Sequence, residues 1–140
     1  MTELSLLSVP EQKPMTIDEE HLGRITLGDR SLEREVLEIF ARQTMLLLKR
    51  IAGAKPASAA AAAHTLKGSA RGIGAWRVAR AAERVEQAAA GEAHDQELHA
   101  AVAELEAASS EVRAAIGERL RERTDESAAP ALMGDRSREH

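Results

Sequence analysis

A histidine, a lysine and a glycine occupy neighbouring turns of one predicted helix, at positions 64, 67 and 68. An imidazole that faces solvent is largely neutral at pH 7, and its unprotonated ring nitrogen is then a competent nucleophile. The lysine three residues later can reach a group attached to that ring, where its ammonium would neutralise the negative charge of a phosphoryl group. His64 and Lys67 are therefore candidates for phosphoryl-transfer chemistry.

Gly68 is informative because of what it lacks. A glycine inside a helix costs about 1 kcal/mol relative to alanine, and the surrounding segment is otherwise rich in alanine. Bare backbone beside the imidazole would let another protein approach the ring closely. We interpret Gly68 as a position that leaves room for a partner.

The helix that carries these residues has one polar and one apolar face. At about 100° per residue, Lys67, Gly68 and Arg71 share a face with His64. The opposite side holds only small or aliphatic residues, namely Ala59, Ala62, Ala63, Leu66 and Ala70. The pattern predicts that this apolar side packs in the core and that His64 points into solvent.

The composition favours a small all-α domain. The chain has 140 residues, which suits one domain, and Phe40 and Trp76 are its only Phe, Tyr or Trp residues. A core of Leu, Val, Ile and Ala favours close-packed helices, whereas strands are enriched in β-branched and aromatic residues. With no cysteine and a net charge of −4, the chain offers no disulfide or thiolate nucleophile and no general attraction for nucleic acid.

Turn residues and apolar periodicity define the first half of the fold. Residues 1–15 are expected to form a flexible leader, and a short helix is predicted over Ile17–Ile25. Asp29 or Ser31 would cap a second helix that Gly53 ends. The apolar stripe of this helix is predicted to comprise Leu32, Val36, Ile39, Phe40, Leu47 and Ile51.

Three more helices follow. The third is predicted over about 57–69, and Gly72-Ile73-Gly74 would form the turn to a fourth helix over about 75–90. The last helix is predicted from His94 to about Leu120, with a seam of apolar and small residues: Leu98, Val102, Leu105, Ser109, Val112 and Ile116. Short connections between the four long helices predict an antiparallel up-and-down bundle over residues 16–120. Residues 121–140 are expected to be a disordered tail.

The residues around the candidate site carry a longer pattern. Residues 64–75 read HTLKGSARGIGA, and Val78, Ala82, Val85 and Glu86 follow on the fourth helix. This pattern resembles the signature of the histidine phosphotransfer (HPt) domains of multistep two-component signalling, and the resemblance extends over residues 16–117. In that family a helical bundle presents one histidine, which accepts a phosphoryl group from a receiver-domain aspartate and passes it to another receiver.

The resemblance assigns roles to the site residues and implies partners. By motif position, His64 would be phosphorylated, Lys67 would stabilise the charge of the phosphoryl group, and Gly68 would give the partner clearance. The partners would be receiver domains of response regulators or of a hybrid histidine kinase. The chain itself would bind no cofactor, because the receiver supplies Mg²⁺. No GxxxxGK[ST] nucleotide loop is present, and ATP-dependent kinase activity of its own is not expected.

A cluster of basic residues follows the histidine. Between His64 and Arg84 the sequence holds one acidic residue, Glu83, against Lys67 and four arginines: Arg71, Arg77, Arg80 and Arg84. This local excess of positive charge contrasts with the net negative charge of the chain. We predict that part of the cluster docks against the acidic rim of a receiver active site.

Other interpretations of the sequence remain open or are disfavoured. The chain could be a non-catalytic helical module that only binds receivers, or a degenerate form of the dimeric phosphoacceptor bundle of histidine kinases.

No metal site is predicted, because His94 and His99 would lie about 140° apart around a helix and could not easily coordinate one ion. No segment reaches the roughly 20 apolar residues of a membrane span. We expect a monomer in the cytoplasm.

Overall fold

The computed structural model describes residues 16–53, 55–91 and 95–139, with side chains as far as residue 121. Over these ranges the chain forms helices and no strand, which confirms the predicted all-α class. A short helix comes first and four longer ones follow: α1 (Glu19–Ile25), α2 (Arg30–Gly53), α3 (Pro56–Ile73), α4 (Trp76–Ala90) and α5 (Asp95–Glu139).

The four longer helices pack around one core. Helix α3 packs against α4, α4 against α5, and α2 against both α3 and α5. Each of the four helices therefore has two neighbours around the core. Alanines on the inner face of α3 let α4 approach closely, and larger side chains fill the centre, among them Leu37, Leu66, Leu105 and Ile116. One chain supplies all four helices, so the bundle is complete without a second copy.

Helix α1 closes one end of the bundle and is tied to the turn between α3 and α4. The Asp18 carboxylate accepts hydrogen bonds from the backbone nitrogen of His21 (3.1 Å) and from Nε1 of Trp76 (3.0 Å). The backbone nitrogen of Asp18 also donates to the Gly74 carbonyl, at 2.9 Å. The Trp76 bond, followed by the His21 bond, lowers the pKa of Asp18. This anchoring places Leu22 in the core.

Helix α3 is longer at its C-terminal end than the sequence predicted. Gly72 and Ile73 are helical, and the helix ends at Gly74, which has a left-handed φ of 87°. The backbone nitrogen of Ala75 then donates to the Ala70 carbonyl at 2.8 Å, a closure that a left-handed glycine permits. The prediction that Gly72-Ile73-Gly74 forms the turn is therefore wrong for its first two residues.

The buried face of α2 is displaced from the predicted stripe. Its buried residues are Glu33, Leu37, Phe40, Thr44, Leu47 and Ile51, so the prediction holds for Phe40, Leu47 and Ile51. The predicted core residues Leu32 and Ile39 are exposed instead. Two of the six buried positions are polar, and hydrophobicity alone therefore placed the face incorrectly.

Glu33 is accommodated at the edge of the core by a cation from the last helix. Nη2 of Arg119 lies 2.8 Å from Oε2 of Glu33, and the same guanidinium pairs with Glu19 of α1. Both Arg119 and Glu33 have side chains that are mostly shielded from solvent. Arg119 therefore links α1, α2 and α5 at one end of the bundle.

Replacing this arginine is expected to destabilise the fold. Arg119→Ala removes the guanidinium that neutralises a shielded carboxylate, and we expect the free energy of unfolding to fall by about 3 kcal/mol. Urea denaturation measures this change. Arg121→Ala is the matched control, because Arg121 is exposed and its loss should change the free energy by less than about 0.5 kcal/mol. Equal stabilities of the two variants would contradict the assigned role of Arg119.

The last helix begins at Asp95 and continues to Glu139, beyond the end predicted near Leu120. Its predicted seam is confirmed: Leu105, Ser109, Val112 and Ile116 are buried, and Leu98 and Val102 pack against the core. The predicted leader and His94 lie outside the described residues, and the interpretation of residues 121–140 as a disordered tail stays a prediction. Within the described part of the chain, no helix is both long and apolar enough to cross a bilayer.

Candidate functional site

His64 lies on the outer face of α3, where 67% of its side chain is exposed. The opposite side of the helix is buried as predicted, through Ala59, Ala62, Ala63, Leu66 and Ala70. The imidazole therefore stands on a rigid and well-packed helix but faces solvent, and a macromolecule can reach it.

A carboxylate from the neighbouring helix connects the two predicted site residues. Oε2 of Glu86, on α4, lies 2.8 Å from Nδ1 of His64, and Oε1 lies 2.9 Å from Nζ of Lys67. The structure thus brings His64 and Lys67 together through Glu86. The Lys67 side chain is only 16% exposed, and its ammonium contacts Glu86 of α4.

The contact with Glu86 determines which ring nitrogen of His64 is available for chemistry. An ionised carboxylate only accepts hydrogen bonds, so Nδ1 must carry the proton that joins it to Glu86. In a neutral imidazole, Nε2 then keeps its lone pair. Nε2 makes no hydrogen bond with any described residue. The site therefore presents Nε2 as an exposed nucleophile.

Glu86 is held in its ionised form by its two neighbours. The hydrogen bond from Lys67 is the largest cause that lowers the pKa of Glu86, and the bond from His64 is the next. A carboxyl whose pKa is lowered by folding stabilises the fold above its ordinary pKa, and this contribution is lost as the pH falls through the lowered value. The lowered pKa therefore extends the pH range over which Glu86 stays ionised to more acidic values than for a free glutamate.

Gly68 faces open space next to the histidine. A Cβ atom built on Gly68 would meet no other residue within 4 Å. Packing inside the bundle therefore gives no reason for a glycine at this position. The open backbone beside His64 is consistent with the clearance predicted from the sequence.

The four arginines of the basic cluster are distributed around α3 and α4. Three of them pair with glutamates of the same chain: Arg71 with Glu83, Arg77 with Glu111, and Arg84 with Glu104. The hydrogen bond and charge of Glu104 raise the pKa of Arg84, and Arg84 in turn lowers the pKa of Glu104. Arg80 is exposed. Docking by this cluster stays a prediction. Arg77 and Arg84 also join α4 to α5, and Arg71 joins α3 to α4.

Glu86 is the site residue to which sequence reasoning gave no role. It belonged to the motif, but the motif alone does not show which side chain it contacts. The turn at Gly74 offers a signal, because His64 and Glu86 lie at similar distances along the chain on either side of it. In a tight helical hairpin such positions are opposite each other.

Among the described residues, no group of three or more His, Cys, Asp or Glu side chains could hold a metal ion.

The structure is a four-helix bundle with a histidine exposed on one helix, and comparisons with known proteins identify the class of domain to which such a bundle belongs. The family model described as "Hpt domain" matches residues 35–126. The histidine phosphotransferase ShpA from Caulobacter crescentus is 30% identical, with a TM-score of 0.55 over 77% of this chain and 97% of that chain. A histidine-containing phosphotransfer protein from rice shares the fold at 19% identity, with a TM-score of 0.68 over 83% of this chain and 86% of that chain. No curated protein sequence matches.

The match to the family model covers more than half of the chain. This protein therefore belongs to the Hpt domain family.

Proposed function

We propose that this protein is a phosphorelay carrier in which His64 accepts a phosphoryl group from a receiver-domain aspartate and passes it to another receiver. One observation carries the proposal: an exposed imidazole is fixed by Glu86 through Nδ1, which leaves Nε2 free. The whole site lies within one chain, so a single copy is sufficient for the transfer.

The transfer is a displacement at phosphorus. The Nε2 lone pair of His64 attacks the aspartyl phosphate, the new N–P bond forms, and the P–O bond breaks with its electron pair remaining on the aspartate carboxylate. The proton on Nδ1 stays in place, and the ring acquires positive charge as the N–P bond forms. The adjacent Glu86 carboxylate stabilises that charge. The reverse reaction with a second receiver returns the imidazole to its starting state.

Lys67 balances the charges around the phosphoryl group. Its ammonium pairs with Glu86 in the unphosphorylated protein, and it lies one helical turn from His64 on the same side of α3. A dianionic phosphoryl group on Nε2 would otherwise be placed near an unneutralised carboxylate. We therefore assign Lys67 to the electrostatic stabilisation of the phosphorylated state.

The receiver supplies what this chain does not. It contributes the aspartate and the Mg²⁺ ion that neutralises the phosphoryl oxygens, and it belongs to a response regulator or to a hybrid histidine kinase. A carrier between such partners would work in the cytoplasm. The cytoplasm is a reducing compartment, and a chain without cysteine does not depend on disulfides for its fold. Part of the arginine cluster, including the exposed Arg80, would contact the acidic rim of the receiver site.

Transfer from a phosphorylated receiver tests the proposal. The chain is mixed with a receiver domain that has been phosphorylated on aspartate by acetyl phosphate in the presence of Mg²⁺. We expect an acid-labile and base-stable phosphate on the peptide that contains His64, detected by mass spectrometry. Tight binding of the receiver without any phosphate transfer would instead identify a non-catalytic receiver-binding module.

The clearance at Gly68 gives a separate prediction. Gly68→Gln should raise the stability of α3, since glycine is a poor helix former, yet reduce the affinity for the receiver about tenfold by obstructing its approach. Titration calorimetry with the unphosphorylated receiver measures the affinity. Gly53→Gln is the control, because Gly53 also has open space around it but lies at the end of α2. Unchanged affinity of the Gly68 variant would refute the clearance role.

A further inference from the structure

Two hydroxyl groups lie in the core of the bundle without a hydrogen-bond partner. Thr44 of α2 and Ser109 of α5 are both fully buried. Oγ1 of Thr44 and Oγ of Ser109 make no hydrogen bond with any described residue. Burial removes a hydroxyl from solvent, so most buried hydroxyls are paired with another group inside the protein. These two therefore need a partner that the described side chains and backbone do not supply.

Two other threonines of the chain show the usual solution. Oγ1 of Thr26 donates to the Leu22 carbonyl at 2.8 Å, and Oγ1 of Thr65 donates to the Ala61 carbonyl at 3.2 Å. In both cases the acceptor lies four residues earlier in the chain, a common arrangement for Ser and Thr in helices. Thr44 does not make the corresponding bond. Its hydroxyl is therefore available for a contact across the core.

The two hydroxyls lie at the same level of the bundle. Three short connections separate α2 from α5, so the two helices run in opposite directions. Their register is set at one end, where Arg119 contacts Glu33 at 2.8 Å. Thr44 lies eleven residues after Glu33, and Ser109 lies ten residues before Arg119. At about 1.5 Å per residue, these steps cover about 16 Å and about 15 Å along the two helices.

The buried residues on either side of the two hydroxyls follow the same register. Phe40 precedes Thr44 by four residues on α2, and Val112 follows Ser109 by three residues on α5. In the other direction, Leu47 on α2 corresponds to Leu105 on α5. All four of these apolar residues are buried. The antiparallel helices therefore place one polar layer between two apolar layers.

We propose that one water molecule binds inside the bundle between α2 and α5, where it bridges Oγ1 of Thr44 and Oγ of Ser109. A water molecule can donate to one hydroxyl and accept from the other, so it would pair both groups at once. Globular proteins hold about one buried water per 27 residues, and such waters bind buried polar groups that lack other partners. An internal water is therefore an ordinary expectation for a chain of this length.

The surroundings of the two hydroxyls suit a small neutral ligand. The core positions around them are apolar, so an ion there would lose its hydration without gaining a counter-charge. Alanine occupies many of the buried positions, including Ala108 next to Ser109. Its short side chain leaves more room than a leucine would, and a single water needs little space.

The proposed water would help to specify how α2 pairs with α5. Apolar side chains can pack in several registers, whereas a buried polar pair is satisfied in only one. The contact between Arg119 and Glu33 fixes one end of this helix pair, and the bridge would fix its middle. This role does not depend on phosphoryl transfer at His64.

A double-mutant cycle in urea denaturation tests the bridge. Thr44→Val keeps the shape of the side chain and removes its hydroxyl, and Ser109→Ala removes the other hydroxyl. We expect each single change to raise the equilibrium constant of unfolding about tenfold, because the water and the remaining hydroxyl are left incompletely bonded. The double variant should be no less stable than either single variant, since both polar groups are then gone. Ser110→Ala is the matched control, because Ser110 is exposed beside Ser109; it should not raise the equilibrium constant, since alanine is the better helix former.

The additivity of these effects separates the proposal from its alternatives. Two hydroxyls without any partner would destabilise the native state, so either substitution would lower the equilibrium constant of unfolding and the two effects would add. Hydroxyls that bond to carbonyls of their own helices would also give additive effects. Additive effects of either sign would overturn the proposal.

A high-resolution crystal structure of the full chain locates the water directly. We expect an ordered water within about 3.2 Å of both hydroxyl oxygens. A structure in which the hydroxyls bond to backbone carbonyls instead, with no water that contacts both of them, would contradict the proposal.

Discussion

The His64→Gln variant is expected to fold like the wild type and to accept no phosphoryl group. The side chain is mostly exposed on α3, so its replacement removes no core contact, and a glutamine amide is not a nucleophile. Loss of the attacking atom should reduce phosphate uptake from a phosphorylated receiver at least a thousandfold, below detection, which corresponds to a barrier increase of about 4 kcal/mol or more.

Circular dichroism and the rate of phosphate uptake, measured on the same samples, check both parts of this expectation. His99→Gln is the matched control, because His99 is another exposed histidine, on α5, and its variant should take up phosphate at the wild-type rate. Residual phosphate on His64→Gln would show that another residue is the acceptor. Unfolding of the variant would show that the imidazole supports the core.

Glu86→Ala is expected to slow phosphate uptake about tenfold, the value of one hydrogen bond to a charged group of roughly 1.5 kcal/mol. Without the carboxylate, Nδ1 of His64 is no longer held in its protonated form, and the positive charge that develops on the ring loses its counter-charge. Glu86→Gln should recover most of the rate, since an amide oxygen can still accept the proton of Nδ1. Glu86 is therefore a positioning residue that acts through His64.

Stopped-flow measurement of the uptake rate distinguishes this role from a merely structural one. Glu83→Ala is the control, because Glu83 lies one turn earlier on α4 and pairs with Arg71 rather than with His64. We expect its rate to match that of the wild type. A Glu86→Ala rate equal to the wild-type rate would remove Glu86 from the mechanism, and equal losses in the alanine and glutamine variants would show that the charge, not the hydrogen bond, matters.

The sequence predicts more of the candidate site than of the packing of α2. The position of His64, Lys67 and Gly68 on one face follows from helical periodicity, because the opposite face of α3 is uniformly apolar. Helix α2 lacks that contrast: its polar core residues Glu33 and Thr44 are buried, while aliphatic residues are exposed beside them. Burial of Glu33 depends on Arg119, which is remote in the sequence. No local pattern encodes such a contact.

Glu86 and the arginines show a second limit of sequence reasoning. The motif placed Glu86 on the fourth helix, but its bridge between His64 and Lys67 depends on how two helices face each other. The excess of arginine suggested a docking surface, yet three of the four arginines pair with glutamates of their own chain. The end of α3 was misplaced because a glycine such as Gly72 can be helical when the following turn is made by Gly74.

Heteronuclear NMR of the ¹⁵N-histidine-labelled protein, before and after phosphorylation by a receiver, tests the central claim most directly. The account predicts that Nδ1 of His64 carries a proton in both states and that ³¹P couples to Nε2 after transfer. Phosphorus bound to Nδ1, or to any residue other than His64, would contradict it.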